Sequence, residues 1–164
     1  MQSSNALRFI VHCTALFILL VTVITEGLAE KSGSPPTGIE FNNGDRVVIL
    51  GGTLAERMQH DAWVETLIQN RATGKNLSFR NLGFSADSVD ERLRVTGYGS
   101  QDEWLKKTKP DWVFAFFGFN ESFSGKSKVD QFKLGLRRFV NQLKAKSYNG
   151  KNPPQIVLFS PIAH

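Results

Sequence analysis

The sequence predicts an α/β domain: a parallel sheet with helices on both faces. Three observations lead there. Four short runs, "RVVIL", "LSFRNL", "DWVFAFF" and "QIVLFS", read as strands, and most of them are apolar at consecutive rather than alternate positions. A strand that is apolar throughout is buried on both sides, the habit of parallel sheets flanked by helices. The segments between the runs carry apolar residues at helical spacing. Each run stops at a breaker, in order Gly51, Gly83, Gly118 and Pro161.

The chain divides into three parts. In residues 1–29, Arg8 precedes an apolar run from Phe9 to Ile24, and Gly27-Leu28-Ala29 offers small residues before a cut. That pattern predicts a cleaved signal peptide and an exported protein, periplasmic or extracellular. The run is about 16 residues, short of the ~20 that span a bilayer, so no stable membrane span is expected once the signal is removed. A retained signal would instead act as an anchor. Residues 30–45, rich in Gly, Ser, Pro and Asn, read as a linker. Residues 46–164 form the predicted domain.

Within the domain the elements follow in order. Arg46 to Leu50 is the first strand. Leu54 to Ala72 reads as one helix, with Leu54, Met58, Ala62, Leu67 and Ile68 near one face. Leu77 to Leu82 is the second strand, and Val89 to Val95 a short helix or turn. Gln101 to Lys107 is a short helix with Trp104 and Leu105 inward, ended by Pro110. Asp111 to Phe117 is the third strand. Val129 to Lys146 is a long amphipathic helix through Phe132, Leu136, Phe139, Val140 and Leu143. Gln155 to Ser160 is the fourth strand. A parallel sheet normally covers its last strand with a further helix. The sequence reaches only His164 after that strand, so the domain is expected to be truncated at its C-terminus.

Composition narrows the function. The 164 residues, 41% hydrophobic, suit one globular domain with a real core. The net charge of +5 is spread among acids rather than gathered into a basic stripe with aromatics, which argues against nucleic-acid binding. Cys13 is the sole cysteine and lies in the predicted signal, so the mature chain has no disulfide and no thiolate chemistry. His60-Asp61 and His164 show no metal-ligand spacing. "GGTLAER" lacks the lysine of a phosphate-binding loop and the third glycine of a dinucleotide fingerprint. No cofactor is expected.

Open parallel sheets bind ligands at the C-terminal ends of their strands. After the first strand, Gly51-Gly52-Thr53 makes a tight turn into a helix. Thr53 there has two readings. It could be a nucleophile at a helix N-terminus, where free N–H groups stabilise an oxyanion. Taken alone it reads first as the N-cap, with Glu56 closing a capping box. Gly83 follows the second strand and Asn120 the third. An Asn placed directly after a buried strand needs hydrogen-bond partners. A Gly83 amide and an Asn120 side chain converging on Thr53 would make an oxyanion hole.

These blocks resemble a family. Gly51-Gly52-Thr53 resembles a degenerate Gly-Asp-Ser block of the SGNH (GDSL-type) hydrolases. Gly83 in "RNLGFSAD" resembles their glycine block, and Gly118-Phe119-Asn120-Glu121 their Gly-x-Asn-Asp block. The wording "GGTLAERM…FGFNES…SPIAH" is also similar to SGNH domains of large exported proteins from planctomycete-type bacteria. The resemblance implies a flavodoxin-like SGNH fold and ester hydrolysis of a small acyl ester or an acylated carbohydrate. Thr53 would take the nucleophile position, and Gly83 and Asn120 the oxyanion hole. Two departures stand out. Thr53 and Gly52 replace the Ser and its neighbouring Asp. Pro161 stands three before His164, so the Asp-x-x-His block that supplies the base is absent. Little activity is therefore expected of this segment alone. The alternative is a binding module that keeps the cleft without the nucleophile.

Overall fold

Four strands and the helices between them form in the predicted order. In chain order they are β1 (Arg46–Gly51), α1 (Thr53–Asp61), α2 (Trp63–Arg71), β2 (Ser78–Asn81), the single turn α3 (Val95–Tyr98), α4 (Gln101–Thr108), β3 (Trp112–Phe116), the single turn α5 (Phe119–Ser122), α6 (Val129–Lys144) and β4 (Gln155–Leu158). The structure is a computed structural model that describes residues 38–93 and 95–162. The predicted signal peptide, most of the linker and His164 lie outside those residues. Glu40 onward forms one unit; the unit before it, Met1–Ile39, falls almost wholly outside the described residues.

All three strand pairings are parallel, and the order across the sheet is β2-β1-β3-β4. These are the first four positions of the flavodoxin-like order. The chain steps outward from β1 to β2, then back past β1 to β3. With right-handed crossovers that reversal lays α1 and α2 on one face and α4 on the other. The burial agrees. Val47, Ile49 and Phe114 pack with Ala55, Met58 and Ile68 of α1 and α2. Val48, Leu50, Val113 and Ala115 pack with Leu105 of α4 and with Phe139 and Leu143 of α6. Alternate residues of β1 and β3 thus face opposite cores, which is why both runs are apolar at every position.

The predicted helix from Leu54 to Ala72 is two helices. Ala62 adopts φ 50°, the left-handed region, and separates α1 from α2. A single helix of that length would run ~28 Å at 1.5 Å per residue, past a six-residue strand of ~20 Å. The break keeps both pieces over the sheet and turns the predicted stripe apart. Ile68 stays inward, while Ala62 and Leu67 are exposed, and Trp63 with them. Residues Val89 to Leu93 form bends and a turn rather than a helix. They are pinned by Asp87 Oδ1, which accepts from Leu93 N at 3.1 Å, and by Glu121 Oε1, which accepts from Val89 N at 2.7 Å. α4 begins on a capping box: Ser100 Oγ accepts from Glu103 N, and Glu103 Oε2 accepts from Ser100 N. Leu105 is fully buried and Trp104 half-buried, as the spacing predicts.

Candidate active site

The strand order reverses direction at β1 and β3, so a crevice opens outside their C-terminal ends. The turn after β1 enters it through two glycines whose missing side chains are needed. Gly51 has φ 152°, and a Cβ there would collide with the Phe116 carbonyl oxygen of β3. A Cβ on Gly52 would lie 2.7 Å from the Asp87 carbonyl oxygen and 3.0 Å from Asn120 Nδ2. Three chain segments therefore meet at the Cα of Gly52, an approach that glycine permits.

The N-cap of α1 is Gly52, with no side-chain cap, and Thr53 is the first helical residue. The capping box suggested by "TLAE" is not formed. Glu56 instead accepts from Ser85 Oγ at 3.1 Å and contacts His60 at 3.4 Å. Its carboxyl is held below the ordinary value chiefly by the Ser85 hydrogen bond. Thr53 is left half-buried with its Oγ1 accepting a long 3.5 Å hydrogen bond from Ala86 N. Its own N–H is among those that a helix start leaves without an intrahelical partner. From the β3 side, Gly118 turns with φ 114° into α5, and Asn120 points back toward the turn after β1. Asn120 Nδ2 donates to Asp87 O at 2.9 Å. An amide nitrogen carries two hydrogens, so the second remains for a ligand.

Thr53 and Asn120 line one pocket, together with Gly52, Asp87, Glu121 and Ser160. Its volume is about 10 Å³, room for roughly one water-sized group. It therefore admits one small group and nothing larger. Gly83 does not line it. The Gly83 amide donates to Asn81 Oδ1 at 2.8 Å, and Asn81 Nδ2 donates to Ala55 O at 2.6 Å. A Cβ on Gly83 would lie 2.6 Å from Ala55 Cβ and 2.7 Å from Glu56 N. Gly83 thus lets the end of β2 pack on the first turn of α1. It supports the floor under Thr53, and its amide is already engaged.

Sequence reasoning missed the residues that hold this arrangement. Asp87 is 4% exposed. Its carbonyl orients Asn120, and its carboxylate fixes Leu93 N and lies 3.9 Å from Arg92 Nε. Arg92 lies over the Phe117 ring at 4.5 Å and donates to Gln101 Oε1. Burial lowers the Arg92 pKa, while Asp87, Glu121 and Asp90 act to raise it; a guanidinium stays charged there. Glu121 binds Gly118 N at 2.9 Å and Val89 N, so it staples the turn after β3 to the loop after β2. The one available signal was the acid in "GFSAD" directly after a strand. Its burial depends on contacts from Arg92 and Asn120 that no local pattern encodes. Pro161 packs on Gly118, with its Cγ 3.1 Å from where a Cβ would stand. His60, on the exposed side of α1, pairs with Glu56 and is not among the lining residues. Among the described residues no cluster of His, Cys, Asp and Glu could hold a metal ion.

Solved structures share this architecture. A catalytic mutant of Axe2, an acetylxylan esterase from Geobacillus stearothermophilus, matches with a TM-score of 0.55 at 18% identity, over 75% of this chain and 62% of that one. A second variant of the same enzyme matches with a TM-score of 0.54 at 18% identity, over 73% and 61%. The chain is thus an α/β protein with the fold of that hydrolase, and it spans about 62% of its length. No protein-family model matches the sequence, and no curated protein does.

Proposed function

We propose that this chain is the SGNH-type domain of an exported ester hydrolase that acts on a small acyl ester or an acylated carbohydrate. The observation that carries this reading is the meeting of Thr53 and Asn120 in one pocket at the switch point of the sheet. Thr53 Oγ1 takes the nucleophile position. The Thr53 N–H, at the positive end of α1, and the free hydrogen of Asn120 Nδ2 bind the oxyanion as it forms. Asp87 holds the Asn120 amide in place through its carbonyl. Gly83 serves by close packing on α1, since Asn81 occupies its amide. Chemistry also needs a proton acceptor for Thr53, and the SGNH reading assigns it to an imidazole supplied by residues beyond those described. Export with cleavage after Ala29 belongs to the same reading, and N-terminal sequencing of the exported product tests it.

The deciding experiment is hydrolysis of an aryl acetate by the full-length protein. Turnover abolished by Thr53→Ala supports the esterase. A second reading, a binding module, is favoured by one observation: the described residues lining the pocket include no imidazole. It predicts no turnover by the wild-type protein, and a Thr53→Ala variant that differs only slightly in stability.

A further inference from the structure

Along α4 runs a groove that the candidate active site does not use. β2 is an edge strand with β1 as its neighbour. On its α4-side face stand Ser78, Arg80 and Leu82 at the alternate spacing of a strand, Arg80 in register with Val48. α4 covers β1 but leaves Ser78 and Arg80 exposed. The opposite wall is α4 itself, through Gln101, Trp104 and Lys107, three residues apart on one helix side. From Ser78 to Leu82 the floor measures ~13 Å at 3.3 Å per residue. That is long enough for a short chain of sugar rings and far longer than a simple ion requires. At the Arg80 end the groove opens to a cavity of about 350 Å³.

The charge of the groove is positive. Arg46, Arg80 and Lys107 line it. Asp111 occupies Arg46 at 3.3 Å. The Arg80 guanidinium has no hydrogen bond or ion pair with any described residue, while its backbone sits in the ladder with β1. Lys107 stands over the Trp104 ring at 4.5 Å, and Glu103 lies one turn back on the same helix. At the other end Trp104 is also a wall of a smaller cavity with Tyr98, Gln101, Arg92 and Asp87. Tyr98 stacks on Trp104 at 4.7 Å and is 40% exposed. Asp87 in turn is a wall of the pocket at Thr53 and Asn120. The basic cavity, the aromatic pair and the candidate active site thus follow one another, each sharing a wall residue with the next. Cations beside exposed aromatic and hydroxyl groups suit a ligand that is elongated, hydroxylated and anionic.

We propose that this groove binds a carboxylate-bearing stretch of a polysaccharide, a uronate polymer with ester-linked acyl groups, and leads an acyl ester to the pocket at Thr53. The proposal rests on the esterase reading for its second half only. It is tested by titrating deacetylated oligogalacturonate into the protein and measuring binding by calorimetry. Affinity should fall with salt and drop roughly five- to tenfold in the Arg80→Gln, Lys107→Gln double variant. A neutral xylo-oligosaccharide should bind no better than the double variant binds the uronate. Both substituted residues are exposed, so the variant should keep the wild-type unfolding temperature and the wild-type rate on aryl acetate. Equal affinity for neutral and acidic saccharides, or no effect of the double substitution, would overturn the proposal. So would tighter binding of a single-stranded oligonucleotide than of oligogalacturonate. Uronate binding without any ester hydrolysis would overturn the esterase reading and leave the ligand class standing.

Discussion

A methyl group on Gly52 would push on both the Asp87 carbonyl and the Asn120 amide, 2.7 and 3.0 Å away. The site therefore depends on an atom that is absent, and Gly52→Ala should act through Asn120. On the esterase reading it lowers kcat on aryl acetate by about 10²-fold, approaching the ~10²–10³-fold loss expected of Asn120→Ala. A rate unchanged by Gly52→Ala would show that the Asn120 amide needs no fixed seat. Thr53→Ser should keep or raise kcat. It retains the hydroxyl and removes the methyl that stiffens χ1 and crowds the approach. The hydroxyl is a weak cap at most, given its single 3.5 Å contact and a Gly52 N-cap. A Thr53→Ala loss well above the ~1 kcal/mol of an ordinary cap would contradict that.

At the scale of elements, the joints between helices are where stability can be read. Ala62 holds a left-handed conformation between α1 and α2 at φ 50°. A glycine meets no Cβ penalty there, so Ala62→Gly should stabilise the protein by roughly 0.5–1 kcal/mol in a denaturant titration. Asp102 joins α4 to the residues after α6. It accepts from Lys146, Lys106 and the Tyr148 hydroxyl. These contacts, Lys146 first, lower its pKa to about 2. A carboxylate whose folded pKa lies below its ordinary value stabilises the fold above that ordinary value, and the contribution is lost as pH falls toward about 2. Asp102→Asn should cost about 1 kcal/mol at neutral pH and flatten the fall in stability between roughly pH 4 and pH 2. Tyr148 is pushed up by burial and by Asp102. Its neutral form is the favoured one in the fold, so its contribution is lost only in strong alkali.

For the whole molecule, the sheet order sets a gradient. Among the described strands, β1 and β3 are central, buried and paired on both sides, while β2 and β4 are the outer pair with exposed residues. Native-state hydrogen exchange should protect the amides of Val48 to Leu50 and Val113 to Ala115 most. The exposed edge residues Ser78 and Leu158 should exchange through cheaper local openings. Equal protection of all four strands would contradict the order. The same gradient places function. The two central strands end at the candidate active site, and the open face of β2 carries the basic groove. The rigid part of the fold thus carries the reacting groups, and its edge carries the surface left for a larger ligand.

How much of the molecule is legible in the sequence differs between levels. Continuous apolar runs at Val47–Leu50 and Val113–Phe117 determined a parallel sheet between helices, because only strands covered on both faces can bury every position. The spacing of Phe132 to Leu143 likewise determined α6 and its inward face. Local patterns sufficed there because the cause is local: periodic burial of adjacent side chains. The tertiary structure alone decided the rest. It split the helix at Ala62, gave the Gly83 amide to Asn81, made Gly52 the cap in place of Thr53, and buried Asp87 against Asn120 and Arg92. Each of these outcomes is a competition for one hydrogen bond or one small volume among residues distant in sequence. Such competitions are settled by which backbones approach closely at the strand ends, and closeness in space is a property of the assembled sheet.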